Sequence, residues 1–338
     1  MKETYAKIDK LYKSSSEIDL ILSYSRISDF AKNGPKALIK RSVLKGVGIY
    51  IGSLVDDLLL DEESFDDKYL VYNGSRPTAT LGKLADIILD NYNEVPTIDK
   101  VVEIAVNNKF WSKYAEATLI KTIDTPDLWE YLNAQLESRK RTLITTDDLL
   151  LANDIKDALL THDFSRDIFI NNFDNHNQVK FVMKYKDFKI RGILDRVIVN
   201  HKDKTVRFID LKTGANPVEE FENSFIKFKY YFQAAIYTKA FDVISKDLGF
   251  EGYTLLPFEF LYIGRYQKIP LLYEFTDKWN NAAINGFKKG PYTYTGLNHN
   301  LDLIKWHYDN REFELSKFIK TSNGRVKLND NHIDINNN

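Results

Sequence analysis

Two neighbouring apolar runs, each interrupted by an acid, constrain this chain more than anything else in it. They read Arg191-Gly192-Ile193-Leu194-Asp195-Arg196-Val197-Ile198-Val199 and Val206-Arg207-Phe208-Ile209-Asp210-Leu211-Lys212-Thr213-Gly214, joined by the polar turn Asn200-His201-Lys202-Asp203-Lys204. Strand-forming residues on both sides of a polar turn predict a β-hairpin. Side chains alternate between the faces of a strand, so Asp210 and Lys212 share a face while Leu211 turns to the core. Asp195, at the same depth on the first strand, can meet Asp210 across the hairpin. Two carboxylates and an ammonium in one small volume make a poor core and a good cradle for a divalent cation. A lone D-x-K triplet usually marks a solvated strand edge, so a second constellation is needed. Tyr230 to Tyr237 supplies it: the stretch reads as helix, with Gln233 and Tyr237 four apart on one face and Tyr230 three residues before the glutamine.

In this order, Gly192-Ile193-Leu194-Asp195-Arg196, Asp210-Leu211-Lys212-Thr213 and Gln233 to Tyr237 resemble the G-x-x-D-R, D-x-K-T and Q-x-x-x-Y motifs of the PD-(D/E)XK nuclease superfamily, in its RecB/RecE-like exonuclease branch. The resemblance extends from about Ser23 to about Tyr294. It implies an α/β fold with a restriction-endonuclease-like core, a central mixed β-sheet flanked by helices, with a helical N-terminal elaboration. It also implies Mg²⁺ or Mn²⁺ held by Asp195, Asp210 and the Leu211 backbone carbonyl. Lys212 would orient or help deprotonate the attacking water, and Gln233 would fix the site by hydrogen bonds. Arg196, Thr213, Tyr230 and Tyr237 would meet the substrate, although for the two tyrosines packing within the fold is the more natural role. Relatives in this branch carry a glycine followed four positions later by a histidine that reaches the metal. Here Gly52 is followed at that spacing by Asp56, an oxygen donor suited to Mg²⁺. Asp57, about 100° round the same helix, is the alternative ligand. Near Gln178 such relatives often have a glutamate; an amide there adds no charge, so at most a weak second metal site is expected.

Composition narrows the class. With 43% hydrophobic and 13% aromatic residues, a chain of 338 can bury a sizeable core. The absence of cysteine excludes disulfides, thiolate zinc sites and cysteine-ligated iron–sulfur clusters. A net charge of −1 argues against a general polyanion clamp. Lys180, Lys184, Lys186, Lys189 and Arg191, and Lys227 with Lys229, fit a local basic channel and a solvated face equally well. The six histidines lack the spacing of a zinc helix, and neither a P-loop nor a Rossmann fingerprint is present. No apolar run of membrane-spanning length and no secretory h-region is found, so a cytoplasmic protein of a bacterial or phage-infected cell is expected.

Along the chain, residues 1–22 read as a leading helix broken at Ser14-Ser15-Ser16, and a serine-capped helix from Ser23 is stopped by Gly34-Pro35. Gly46 to Leu60 reads as an apolar helix and Phe65 to Asn73 as an edge strand or loop. Leu81–Asn91, Val101–Lys113 and Asp127–Ser138 read as helices. A capped helix runs from Thr145 to about His162. Gln178–Tyr185 should pair with Phe188–Val199, and Phe258–Gly264 with Ile269–Phe275. Trp279–Lys289 reads as helix and Asn329–Asn338 as a frayed tail. The expected organisation is a mainly helical part over 1–144 that lends the site one helix (about 46–60), a nuclease core over 145–325 and a flexible tail over 326–338, all in one structural domain.

What the resemblance implies is a metal-dependent DNA exonuclease working from duplex ends, 5′ to 3′, in phage-type recombination, replication or repair. A single-strand annealing protein and further copies of the chain would be its partners. A structure-specific or site-specific endonuclease of the same fold is the nearest alternative. A non-catalytic DNA-binding module on a decayed nuclease fold is the other.

Overall fold

The computed structural model describes residues 21–39, 47–138, 141–323 and 325. The expected tail, residue Gly46 and all but the last two residues of the expected leading helix lie outside these. Residues 21–22 are strand, not helix.

The described chain opens with β1 (Ile21–Ser23), α1 (Tyr24–Asn33), α2 (Val47–Leu60) and β2 (Tyr69–Tyr72). Four helices follow, α3 (Ala79–Asn91), α4 (Ile98–Asn107), α5 (Glu116–Ile123) and α6 (Pro126–Glu137), then β3 (Thr142–Thr145) and α7 (Thr146–Thr161). Next come β4 (Asp174–Tyr185), β5 (Phe188–Asn200), β6 (Thr205–Gly214), α8 (Phe221–Lys227), α9 (Tyr230–Lys239) and α10 (Phe241–Leu248). The remainder comprises β7 (Thr254–Leu255), β8 (Phe258–Gly264), β9 (Pro270–Phe275), α11 (Asp277–Asn285), β10 (Gly286–Lys289), β11 (Tyr292–Thr295) and α12 (Leu297–Asn310).

The local reasons are legible. Ser23 accepts a hydrogen bond from the Arg26 N–H and so caps α1, and Gly34, at φ 78°, turns the chain out of it. Thr145 and Asp148 cap α7 reciprocally. Three readings need correction. The helix expected over 101–113 stops at Asn107, α5 was not anticipated, and the helix expected to reach Lys289 ends at Asn285, where Gly286 (φ 96°) opens the β10–β11 hairpin. Residues 65–73 divide into a helical turn and β2, which pairs in parallel with β3.

The main sheet is mixed, with β5 antiparallel to β4 and β6, β6 parallel to β8, and β8 antiparallel to β9. Both faces are covered. Val206 and Phe208 of β6 pack towards α9 with Phe232, Ile236 and Phe260, while Ile209 and Leu211 pack towards α2 and α7 with Ile51, Leu54, Val55 and Ile155. That is why β6 reads as a nearly continuous apolar run. A further cluster around Leu84, Ile88, Val101, Leu128 and Leu132 holds α3 to α6 together. No helix among the described residues is long and apolar enough to cross a membrane. These features form the mixed α/β architecture, a central sheet between helices, that the motifs imply.

One topological detail positions everything that follows. The β5–β6 ladder runs from Asn200↔Thr205 only as far as Arg196↔Ile209. Past that point β4 still occupies one edge of β5, and the other edge is taken by β1, parallel, at Lys189–Arg191. β5 and β6 therefore part like a fork, and Asp195 and Asp210 stand where they part.

Candidate active site

At the fork the Leu211 N–H, which would otherwise meet a β5 carbonyl, donates to Asp195 Oδ2 at 2.8 Å. The N–H and C=O of one strand residue point to the same neighbouring strand, so the Leu211 carbonyl faces this gap too. Asp210, 1% exposed, accepts from Gln233 Nε2 at 2.6 Å and is ion-paired with Lys212. Gln233 reaches it because α9 lies across that face of the sheet with its whole middle buried. From the other side α2 directs Asp56 at the same group, where it feels Asp195, Lys212 and Asp210. Its neighbour Asp57 is engaged elsewhere, taking hydrogen bonds from Lys68 Nζ and the Tyr69 hydroxyl, both at 2.6 Å.

The electrostatics follow from this crowding. Burial and then the charge of Asp210 push the Asp195 carboxyl up to about 7, against the pull of Lys212 and the Leu211 N–H. Asp195 and Asp210 thus act on each other directly, while Lys212 favours the charge of both. Burial also raises Asp210, and burial followed by Asp195 holds Asp56 well above the usual carboxylate range. For Lys212, burial opposes the charge, but Asp210, then Tyr230 and Asp195, outweigh it and hold the amine well above its ordinary value. Lys212 is thus an ammonium, with its Nζ 5.0 Å from the centre of the Tyr230 ring.

The donors suit a hard cation in kind, being oxygens that repel one another in a buried place. The Gln233 Oε1 and Thr213 Oγ1 atoms are buried without a hydrogen-bond partner. Among the described residues no three acidic or histidine side chains are gathered tightly enough to ligate one ion as they stand. Asp195 is instead engaged by the Leu211 N–H, and Asp210 by Gln233 and Lys212.

Asp56, Asp195, Asp210, Leu211, Lys212 and Gln233 are therefore brought together, with Tyr230 at the border. Of the other three, Arg196 lies elsewhere, Tyr237 packs behind Gln233 under the charge of Asp210, and Thr213 turns towards α2. Arg196, expected at the substrate, is 6% exposed and donates to the Ile168 carbonyl (2.7 Å), Asn177 (2.7 Å), Asn175 (3.0 Å) and the Phe169 carbonyl (3.3 Å). Adjacent strand residues face opposite ways, so Asp195 and Arg196 cannot serve the same side. Tyr237, also expected at the substrate, is 6% exposed and packs edge-on against Phe181 and Phe258. Gly192 makes room for it, since a Cβ there would lie 2.5 Å from Phe181 and 2.7 Å from Tyr237. Thr213 turns to the α2 face, where its Cβ lies 3.9 Å from the place a Gly52 side chain would begin.

Two neighbours gave little or no warning. Gln178, in a left-handed conformation at φ 49° where the β4–β5 ladder is interrupted, sits 3.4 Å from Asp195 Oδ1. It lies beside the acids as an uncharged amide, as its residue type allowed. Tyr24 was not foreseen. Its hydroxyl donates to the Phe228 carbonyl at 2.6 Å, its ring lies 6.4 Å from that of Tyr230, and Lys212 and Asp210 both act on it. A tyrosine in the first turn of a helix carries no sequence signal for such a place.

A family model for the PD-(D/E)XK nuclease superfamily matches residues 76–265. Among solved structures, one described as a candidate exonuclease from Eubacterium rectale covers 91% of this chain and 90% of its own at 13% identity and a TM-score of 0.43, too distant to carry an argument. No curated protein matches. The matched span is more than half of the chain and contains the fork, both motif strands and the motif helix, and the chain belongs to the PD-(D/E)XK nuclease superfamily.

Proposed function

We propose that this protein is a metal-dependent deoxyribonuclease that hydrolyses phosphodiester bonds from duplex DNA ends, 5′ to 3′, in phage-type recombination, replication or repair. The observation that carries the reading is the fork itself. An aliphatic hairpin parts beyond Arg196↔Ile209, and where it parts two acids from its strands, one from α2 and an ammonium converge. Asp195, Asp210, Asp56 and the Leu211 carbonyl would hold Mg²⁺ or Mn²⁺. When bound, the ion supplies polarisation of a phosphoryl oxygen and an acidified water. The protein's own part is positional. Gln233 fixes one oxygen of Asp210, the Leu211 N–H fixes one of Asp195, and each acid is left a second oxygen for the ion. Lys212, held as an ammonium beside Asp210, would donate to the phosphate charge that grows in the transition state. Tyr230 stands behind its ammonium and limits where it can point.

An endonuclease of the same fold would use every one of these residues, and a binding module would need none of the chemistry. A time course on end-labelled linear duplex and covalently closed circles, with Mg²⁺, Mn²⁺ or EDTA, beside Asp210→Ala and Lys212→Ala, separates the three. Metal-dependent loss of linear DNA alone, abolished in both variants, is expected, and the released label reports polarity. Cutting of closed circles would transfer the assignment to an endonuclease. Retained binding with no cleavage of either DNA would leave only the binding module.

A further inference from the structure

Beside the fork, at the corner between α8 and α9, an exposed aromatic ring stands among cations. Phe228 is 39% exposed, with Lys32 Nζ 5.2 Å and Lys227 Nζ 5.5 Å from its ring centre. Lys229 follows immediately, in a left-handed conformation (φ 58°) as the N-cap of the motif helix. The corner is anchored, because the Tyr24 and Ser28 hydroxyls of α1 both donate to the Phe228 carbonyl, at 2.6 and 3.1 Å. Lys32 feels both of the other ammonium groups, of which that of Lys229 turns to the Tyr231 hydroxyl at 3.4 Å. Burial and then Lys32 lower Lys229, and burial and Lys227 lower Lys32 against the pull of Asp29 one turn back. Among the described residues none of the three is ion-paired, whereas Lys36, Lys186 and Lys289 all have acid partners. The Phe228 ring lies 5.6 Å from that of Tyr230, which carries Lys212, so the patch leads directly into the fork.

An exposed ring beside two lysines without acid partners is suited to an apolar flat group flanked by negative charges, which describes a nucleobase between its phosphates. We propose that Phe228, flanked by Lys32 and Lys227, is a stacking step for an unpaired nucleotide of the DNA strand being fed into the site. This rests on the nuclease reading for the identity of the strand, and it adds that the substrate strand is held unpaired next to the bond to be cut. A base pair inside a duplex has both of its faces stacked already and could not use the ring.

The test is made in EDTA, so that binding is read without cleavage, on the full chain with a short oligothymidylate carrying a terminal 2-aminopurine. Phe228→Ala is expected to weaken binding about 10-fold, the scale of one lost base–aromatic stack, and to abolish the quenching of the 2-aminopurine, while Phe228→Trp restores both. The double variant Lys32→Gln/Lys227→Gln keeps the quenching at saturation but lowers the slope of log affinity against log salt by about 1.4, two single-strand phosphate contacts. Affinity and quenching unchanged in a Phe228→Ala protein that melts like the parent would overturn the proposal, as would an unchanged salt slope in the lysine variant. If Phe228 controls binding while the parent cleaves no DNA with Mg²⁺, the nuclease reading fails and the stacking step stands. If cleavage is intact and Phe228→Ala binds as the parent does, the stacking step alone falls.

Discussion

At its turn end the β5–β6 hairpin is laddered and apolar, with Val197, Val199, Val206 and Phe208 buried on one face and Ile198 and Ile209 on the other. One residue further, at Asp195 and Asp210, the ladder stops and the same two strands present acids that repel each other. The closed end gains from every atom it buries, whereas the open end holds groups whose burial costs stability. The comparison teaches that the hairpin's stability and its chemistry are segregated by position along one pair of strands. Activity and stability should therefore be separable by mutation.

The strongest break in that comparison is Asp56→Asn. Cleavage should fall on the order of 10³-fold or more, the scale of losing a metal-bearing carboxylate, while the thermal melting point holds or rises because a carboxylate disfavoured by burial and by Asp195 is gone. Turnover and melting measured on the same preparations check this, and a fall in both together would erase the distinction between the ends. Next in size is Phe208→Ala at the closed end. It should destabilise by about 3–5 kcal/mol in urea titration, with activity per folded molecule retained. Arg196→Ala comes third. Its buried acceptors at residues 168, 169, 175 and 177 would lose their donor, for about 1–3 kcal/mol, again with cleavage retained below the melting point. Cleavage lost without a loss of stability would move Arg196 back among the substrate contacts. The smallest effect expected is from Asp57→Asn, which weakens a partly exposed pair with Lys68 by about 1 kcal/mol or less and leaves cleavage unchanged. A cleavage defect there would make Asp57 a ligand in place of Asp56.

The parts of the site legible from sequence were those where residue type and strand period act together. Asp210, Leu211 and Lys212 fall on their faces because alternation is local, and Gln233 lies four residues from Tyr237 whatever surrounds them. The place of Arg196 was not legible because a motif spelled D-R says nothing about faces, and a strand turns adjacent residues apart. Tyr237 takes the packing role that was the more natural one for it, in a slot that Gly192 opens. The choice between Asp56 and Asp57 needed Lys68 and Tyr69, which no periodicity ties to α2. In the fold, the central strands were readable from their apolar runs. α5 and the three-residue β1 were not, the first because the readable helical stretches on either side of it gave no separate signal, the second because it is too short to show a period.

The shortness of β1 hides its weight in time. It pairs with residues 189–191, about half the chain away, and it occupies the edge of β5 that β6 leaves. Joining segments so far apart costs loop-closure entropy before any contact rewards it, and such pairings slow folding. The N-terminal strand leaves the ribosome first and has no edge to join until β5 has followed. The edge of β5 beside the acids is thus filled only once the longest loop in the sheet has closed.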